Sequence, residues 1–204
     1  MANIPTDPYT SNSERLLYQI WQGILLNTAG QNNTKREIIS LPITSPSLTK
    51  NKIYAVNMAL GGTFTVPLIN QFGAANVRGT INDIVYMCDH PAIQTSTELD
   101  LYIFNAPITA VADWTTIVPS YADWSQKLVG IFQLKQVAST AVGAISTFQL
   151  SFPTGNAKEI FFSCTGAGAG YNLYFLIGTN IAFTTPNDGL NPATNMLMNY
   201  SEIA

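Results

Sequence analysis

From Lys52 onward the sequence runs through about eight short stretches in which β-branched and aromatic residues alternate with polar ones, each closed by a turn. The stretches are "KIYAVNMA", "TFTVPLIN", "VRGTINDIVYMCD", "ELDLYIFN", "KLVGIFQLK", "ISTFQLSF", "EIFFSCT" and "YNLYFLIGTNIAFT". Alternation places every second side chain on one face of a strand, and no long helical pattern intervenes. Strands without crossover helices pair antiparallel, so the expected fold is mainly β: an antiparallel jelly-roll β-sandwich of about eight strands. Pro67 inside "TVPLI" cannot donate to a ladder, which predicts an edge or a bulge there.

The first fifty residues read differently. "MANIPTDPYT" has two prolines and no periodicity, as expected of an extended arm. In "SNSERLLYQIWQGILLNTAG" apolar residues fall at Leu16, Leu17, Ile20, Trp21, Ile24 and Leu25, one stripe of an α-helix. Ser11 and Glu14 have capping-box spacing, and Gly30 can end the helix. The stripe packs either on its own domain or on another subunit. Residues 31–51 read as a connecting strand and linker, with the densest basic cluster. The expected organisation is an N-terminal arm with one amphipathic helix over residues 1–50, the sandwich over 51–186, and a C-terminal tail over 187–204. The tail's apolar patch at Met196, Leu197 and Met198 packs down or exchanges with a neighbour.

Only 10% of the 204 residues are charged, while 47% are hydrophobic, yet polar residues interrupt every apolar run well short of the roughly 20 needed to span a bilayer. The surface must therefore be polar but largely uncharged. Such surfaces suit assemblies, since Lys and Glu are depleted at interface cores. Nine Lys plus Arg against twelve Asp plus Glu, with no basic run, leave little to engage a phosphate backbone. Neither nucleic acid nor membrane is expected as a partner. The N-terminus lacks a secretory pattern, so synthesis in a cytoplasm is expected. Cys88 and Cys164 lie in separate strands without metal-binding spacing and are read as buried thiols.

Three motifs invite chemistry. "CTGAGAGYNLYF" carries Gly166, Gly168 and Gly170, but a dinucleotide fingerprint opens into a helix, whereas a strand follows here, so a hairpin loop is expected. "CDHP" joins Cys88 and Asp89 to the only histidine, too few imidazoles for a zinc or cupin-type site, and no cofactor or metal is expected. The carboxylates Asp83, Asp89, Glu98, Asp100, Asp113 and Asp123 could supply a glycosidase pair, but no spacing selects two of them, so the chain is read as no enzyme. The third motif is "ADWTTIVPSYADW", which writes Ala-Asp-Trp twice between two strands. Asp113, Trp114, Tyr121, Asp123 and Trp124 form either a packed or interface loop or a glycan-binding one. Indoles bury enough area, a few kcal/mol each at about 25 cal/mol per Å², to be explained by packing.

The passage "VRGTINDIVYMCDHPAIQTSTELDLYIFNAPITAVADWTTIVPSYADWSQKLVGIFQL" has a distinctive order: a strand opening Gly-Thr-Ile, a polar turn, Leu-Asp-Leu-Tyr-Ile-Phe-Asn, a loop, then an Asp-led turn into Lys-Leu-Val-Gly-Ile. This resembles tailed-bacteriophage structural proteins, the jelly-roll decoration or cement proteins that sit as trimers on icosahedral capsids. The resemblance covers residues 77–134 and the later strands in pattern only; the N-terminal helix lies outside it. It implies a homotrimer on the capsid surface of the virion, made in the host cytoplasm, with the major capsid protein as partner. In that setting Leu16, Leu17, Ile20, Trp21, Ile24 and Leu25 become candidate capsid or subunit anchors, with Lys35 and Arg36 facing an acidic shell. The alternative is a receptor- or glycan-binding module of a tail or head fibre that uses the loop of residues 112–124.

Overall fold

The computed structural model describes residues 38–88, 98–118, 120–139, 146–151, 159–165, 170–185 and 190–203. The chain divides into two units, residues 1–36 with Ala204 and residues 37–203. The candidate anchors Leu16 to Leu25, Lys35 and Arg36 lie outside the described residues, as does the whole predicted helix. The elements are β1 (Ile38–Ser45), β2 (Ile53–Tyr54), β3 (Phe64–Leu68), β4 (Asn76–Cys88), β5 (Glu98–Phe104), α1 (Tyr121–Lys127), β6 (Leu128–Ser139), β7 (Ser146–Ser151), β8 (Ile160–Thr165), β9 (Tyr171–Thr179), β10 (Phe183–Thr184) and β11 (Thr194–Ile203).

Four antiparallel pairs nest inside one another: β5 with β6, β4 with β8, β3 with β9, and β1 with β11. Further ladders join β11 to β4 and β5 to β9. One layer therefore reads β1-β11-β4-β8 and the other β3-β9-β5-β6, the interleaving of a long hairpin rolled on itself, which is a jelly roll. β7 is an addition. It pairs with β6 and with Val85–Cys88 at the far half of β4, while Asn76–Ile81 of β4 holds β8, so one side of the sandwich is nearly closed.

β4 shows how the sequence builds this. Val77, Gly79 and Ile81 are buried, and then Ile84, Tyr86 and Cys88, so the inward parity changes once. The register against β11 slips at the same place, where Asp83 opposes Asn199 and Ile81 opposes Tyr200, leaving Asn82 as the extra residue. A one-residue bulge returns the second half of the strand to the core face, which a straight strand would have turned to solvent. Asn82 is held there by its Nδ2 donating to Ser201 Oγ at 2.9 Å. Between the layers sits one apolar core, with Tyr86, Phe148, Phe175, Met198 and Tyr200 among its buried members.

Several expectations are corrected. Residues 38–45, read as a connecting strand within the arm, form an edge strand of the sandwich, and residues 194–203, read as a tail that packs down or exchanges, form β11 between β1 and β4. Met196, Met198 and Tyr200 point inward at the strand period, and burial between two layers outweighs the loop-like composition around them. "KIYAVNMA" yields only the two residues of β2, because Asn57 turns to φ 66° and the residues after it make only isolated bridges, Met58 with Thr116 and Ala59 with Gly178. "YNLYFLIGTNIAFT" breaks into β9 and β10, and β10 leaves the main sheet to pair with β2. β8 and β9 are not paired as the two arms of the expected hairpin: β8 pairs with β4, and β9 with β5 and β3, in the other layer. Residues 166–169, between them, lie outside the described residues. Pro67 does sit on an edge strand, β3, and Pro42 on the opposite edge, β1, where a missing N–H costs no ladder bond.

Neither cysteine is joined in a disulfide, and both are buried. Cys164 sits opposite Val77 at one end of β4, whereas Cys88 ends that strand. At about 3.3 Å per residue the two are roughly 35 Å apart along the strand, far beyond the roughly 7 Å a disulfide can bridge. Burial pushes the Cys164 thiol up to about 12, so it stays protonated.

Candidate functional site

The double Ala-Asp-Trp passage lies on the outer face of the β3-β9-β5-β6 layer. On β5 and β9 the core takes Leu99, Leu101, Ile103, Leu173, Phe175 and Ile177, which leaves Tyr102, Phe104 and Leu176 on the far side. These three would be an exposed apolar face. Ile117 and Ala59 complete a second buried cluster over them, with Ile108, Val111 and Trp124 packed against it. Gly178 makes room: a Cβ there would stand 2.9 Å from the Ile117 side chain. The passage between β5 and β6 is thus a flap that covers a sheet face.

The two acids fasten the flap at different points. Asp113 accepts four hydrogen bonds: Oδ1 from the Gly61 N–H at 2.6 Å, and Oδ2 from the Thr49 N–H at 2.8 Å, Thr49 Oγ1 at 2.6 Å and Tyr54 Oη at 2.7 Å. Gly61 and Gly62 both have positive φ, and a Cβ on either would stand within 2.6 Å of a backbone oxygen, Pro46's or Val111's, so this approach needs glycine. Tyr54 is fully buried and stacks on Phe183 with centroids 5.0 Å apart. Burial, then the hydrogen bond to Asp113, holds its phenol well above the ordinary value.

Asp123 is 7% exposed, in the first turn of α1, and Ser120 stands at the N-cap position without a side-chain cap bond. It binds Lys127 Nζ at 2.6 Å and accepts the Thr109 N–H at 3.0 Å. The Lys127 contact first, and the Thr109 bond second, draw its carboxyl down to about 2. The Lys127 ammonium also reaches the Pro107 carbonyl at 2.6 Å, so a single ion pair ties the start of the flap to its end.

The indoles part company as well. Trp124 meets Tyr102 and Phe104 edge to face, with centroids 5.2 and 6.3 Å apart. Trp114 is 39% exposed at φ 58°, with Nε1 donating to the Ile53 carbonyl at 2.8 Å and Lys52 Nζ 4.1 Å from its ring centroid. Tyr121 is 87% exposed and joins neither. A cavity of about 90 Å³ beside Trp124 is lined mainly by Phe104, Ile108, Val111, Ile117 and Leu176, with Asp123, Thr109 and Ser120 at its polar side. Asp123 and Trp124 therefore share a surrounding, whereas Asp113 and Trp114 face β2.

Of the other carboxylates, Glu98 pairs with Lys135 at 3.1 Å, Asp83 accepts from Gln149 Nε2 at 3.3 Å, and Asp89 lies outside the described residues. Asp100 shares a face of β5 with Glu98, and burial first, then that neighbour, raises its carboxyl. Among the described residues no three His, Cys, Asp or Glu stand together as metal ligands, and no helix is long and apolar enough to cross a membrane. Thr49, Tyr54, Gly61 and Lys52 escaped the sequence reading. Only the Gly61-Gly62 pair carried a local signal, that of a tight turn.

No family model matches the chain, and no curated protein does. Among solved structures, one of infectious bursal disease virus, Gx strain, is similar at 14% identity with a TM-score of 0.17, covering 84% of this chain and 37% of that one. This chain thus spans little more than a third of that chain's length.

Proposed function

We propose that this chain is a non-enzymatic structural protein of a virus particle, a trimeric cement protein that decorates a bacteriophage capsid. The observation that carries the reading is how the loop chemistry is used. Asp113 and Asp123, the acids of the repeated motif, are engaged with the protein's own backbone and with Tyr54 and Lys127. What the exterior offers instead is apolar contact on a surface with few charges: Ile38, Ile53, Val118, Phe161 and Leu190 are all more than 60% exposed. Apolar groups amid uncharged polar ones are inexpensive to desolvate, which favours broad, permanent contacts. Three-fold repetition multiplies a weak footprint into firm attachment without new contacts.

In this reading residues 1–37 supply the capsid contacts, with Leu17 and Trp21 at their centre and Lys35 and Arg36 facing acidic shell groups. The test is to mix the Leu17→Asp, Trp21→Asp double variant with undecorated shells and sediment them. The variant keeps the β-sheet circular dichroism of the wild type and stays in the supernatant. A folded double variant that still decorates the shells would remove these anchors. The other class of reading, an adhesion module, has to act through Trp114, since Trp124 is committed to Tyr102 and Phe104.

A further inference from the structure

The flap leaves a cavity of about 90 Å³ against the β3-β9-β5-β6 layer, and two clasps hold its walls in place. Asp113 fixes the flap at Thr49, Tyr54 and Gly61, and the Asp123–Lys127 pair fixes its base through Thr109 and Pro107. Between the clasps, Phe104, Ile108, Val111, Ile117 and Leu176 give the cavity apolar walls. It reaches the surface, since Val118 in its lining is 75% exposed and Ser120 is half-buried.

Size and charge define what fits. A cavity of about 150 Å³ accepts benzene, so a group of four carbons in place of six needs about 100 Å³, close to the volume present. A leucine or isoleucine side chain meets that measure and a phenyl ring exceeds it. A charged ligand gains little, because the ion pair is satisfied within the flap: Lys127 Nζ is shared by Asp123 Oδ1 and the Pro107 carbonyl, and Asp123 Oδ2 takes the Thr109 N–H. The polar groups left at the wall are neutral. The Ser120 hydroxyl makes no cap bond, and the Trp124 indole N–H has no acceptor among the described residues. A hydroxyl donor there suits the backbone carbonyl beside an inserted side chain. Val118, and Tyr121 directly after Ser120 at 87% exposure, add exposed apolar groups to this part of the flap, as around the anchor pocket of a protein interface.

We propose that this cavity is the socket for one aliphatic side chain, of leucine or isoleucine size, carried by a segment of a protein partner whose backbone carbonyl accepts from the Ser120 hydroxyl. The socket rests on the geometry of the flap and holds or fails independently of capsid decoration.

The test titrates N-acetyl-leucine methylamide into the isotope-labelled full chain, with the alanine and phenylalanine analogues alongside, and follows the Trp124 indole N–H by NMR. The leucine probe saturates in the millimolar range, and the other two bind about ten-fold more weakly. Val111→Leu adds a carbon to the wall, keeps the melting temperature and loses the leucine probe. Ser120→Ala weakens that probe about five-fold, the loss of one neutral hydrogen bond. No saturable shift, equal binding of the three probes, or unchanged affinity in Val111→Leu would each overturn the proposal. If Val111→Leu does not fold, the ranking of the probes in the wild type and the loss in Ser120→Ala decide the matter.

Discussion

The Tyr54 hydroxyl donates to Asp113 Oδ2 at 2.7 Å across 59 residues of sequence, and the same oxygen takes the N–H and hydroxyl of Thr49. One carboxylate thereby joins the segment after β1, the short strand β2, the double-glycine turn and the flap over β5 and β9. Asp113→Ala leaves a fully buried phenol and the Gly61 N–H without acceptors, at about 1–3 kcal/mol each when buried, while the Thr49 N–H keeps the Tyr54 oxygen at 2.9 Å. The expected loss is on the order of 3 kcal/mol in urea unfolding, with faster hydrogen exchange at the Gly61 amide. Tyr54→Phe, which removes one donor and leaves the carboxylate its other three, loses only about 1 kcal/mol. Equal losses in the two variants would contradict the central role of the acid.

Gly79 marks a tight passage between strands of the sandwich. A Cβ there would lie 2.4 Å from the Ser201 carbonyl oxygen and 2.7 Å from the Phe162 ring, both on strands that flank β4. The ring can shift but the backbone oxygen cannot do so without breaking the β4-β11 ladder. Gly79→Ala is expected to lower stability by about 1–3 kcal/mol, the usual range for overpacking, as measured by denaturant midpoint. An unchanged midpoint would show that β11 can move aside.

The two unusual carboxyls give opposite pH dependences. Asp123 titrates near 2 in the fold against an ordinary 3.8, so its contribution is complete above about pH 4 and is lost as pH falls through 2. Lys127→Met abolishes the principal cause and flattens that acid limb of the melting curve. Asp100 is raised, by burial and by Glu98, so its ionised form opposes folding, and the penalty appears as pH rises through its folded value. Asp100→Asn is therefore more stable than wild type at pH 7 and equal to it at pH 2. A variant of lower stability at pH 7 would show that Asp100 makes a favourable contact when ionised.

Gln136, half-buried on β6, carries shielded polar atoms. Both its side-chain amide atoms are shielded from solvent and have no hydrogen-bond partner among the described residues, and the register of β6 slips immediately after it. A buried amide without partners costs about 1–3 kcal/mol, so Gln136→Met, of similar volume, is expected to raise the melting temperature by a few degrees. A fall would mean that the amide finds partners in solution.

The jelly roll was legible because alternation is local: "STFQLS" and "IFFSCT" declare their inward faces within six residues. Pro67 declared its edge for the same reason. β11 was not read as a strand, although Met196, Met198 and Tyr200 alternate, because its preceding Asn and Pro residues suggest a tail, and its place between β1 and β4 depends on pairings more than a hundred residues apart. The candidate site was legible only as composition. Two identical tripeptides give one aspartate that binds four groups at separations of 52 to 64 residues and another that binds its own helix. No local pattern distinguishes the two, and only the fold separates the exposed Trp114 from the packed Trp124.

The measurement that tests the account most directly is the copy number of this chain relative to the major shell protein in purified virus particles, by mass spectrometry with labelled peptides. Capsid decoration predicts abundance comparable to the shell protein, in a ratio set by three copies per site. A few copies per particle, or none, would contradict it.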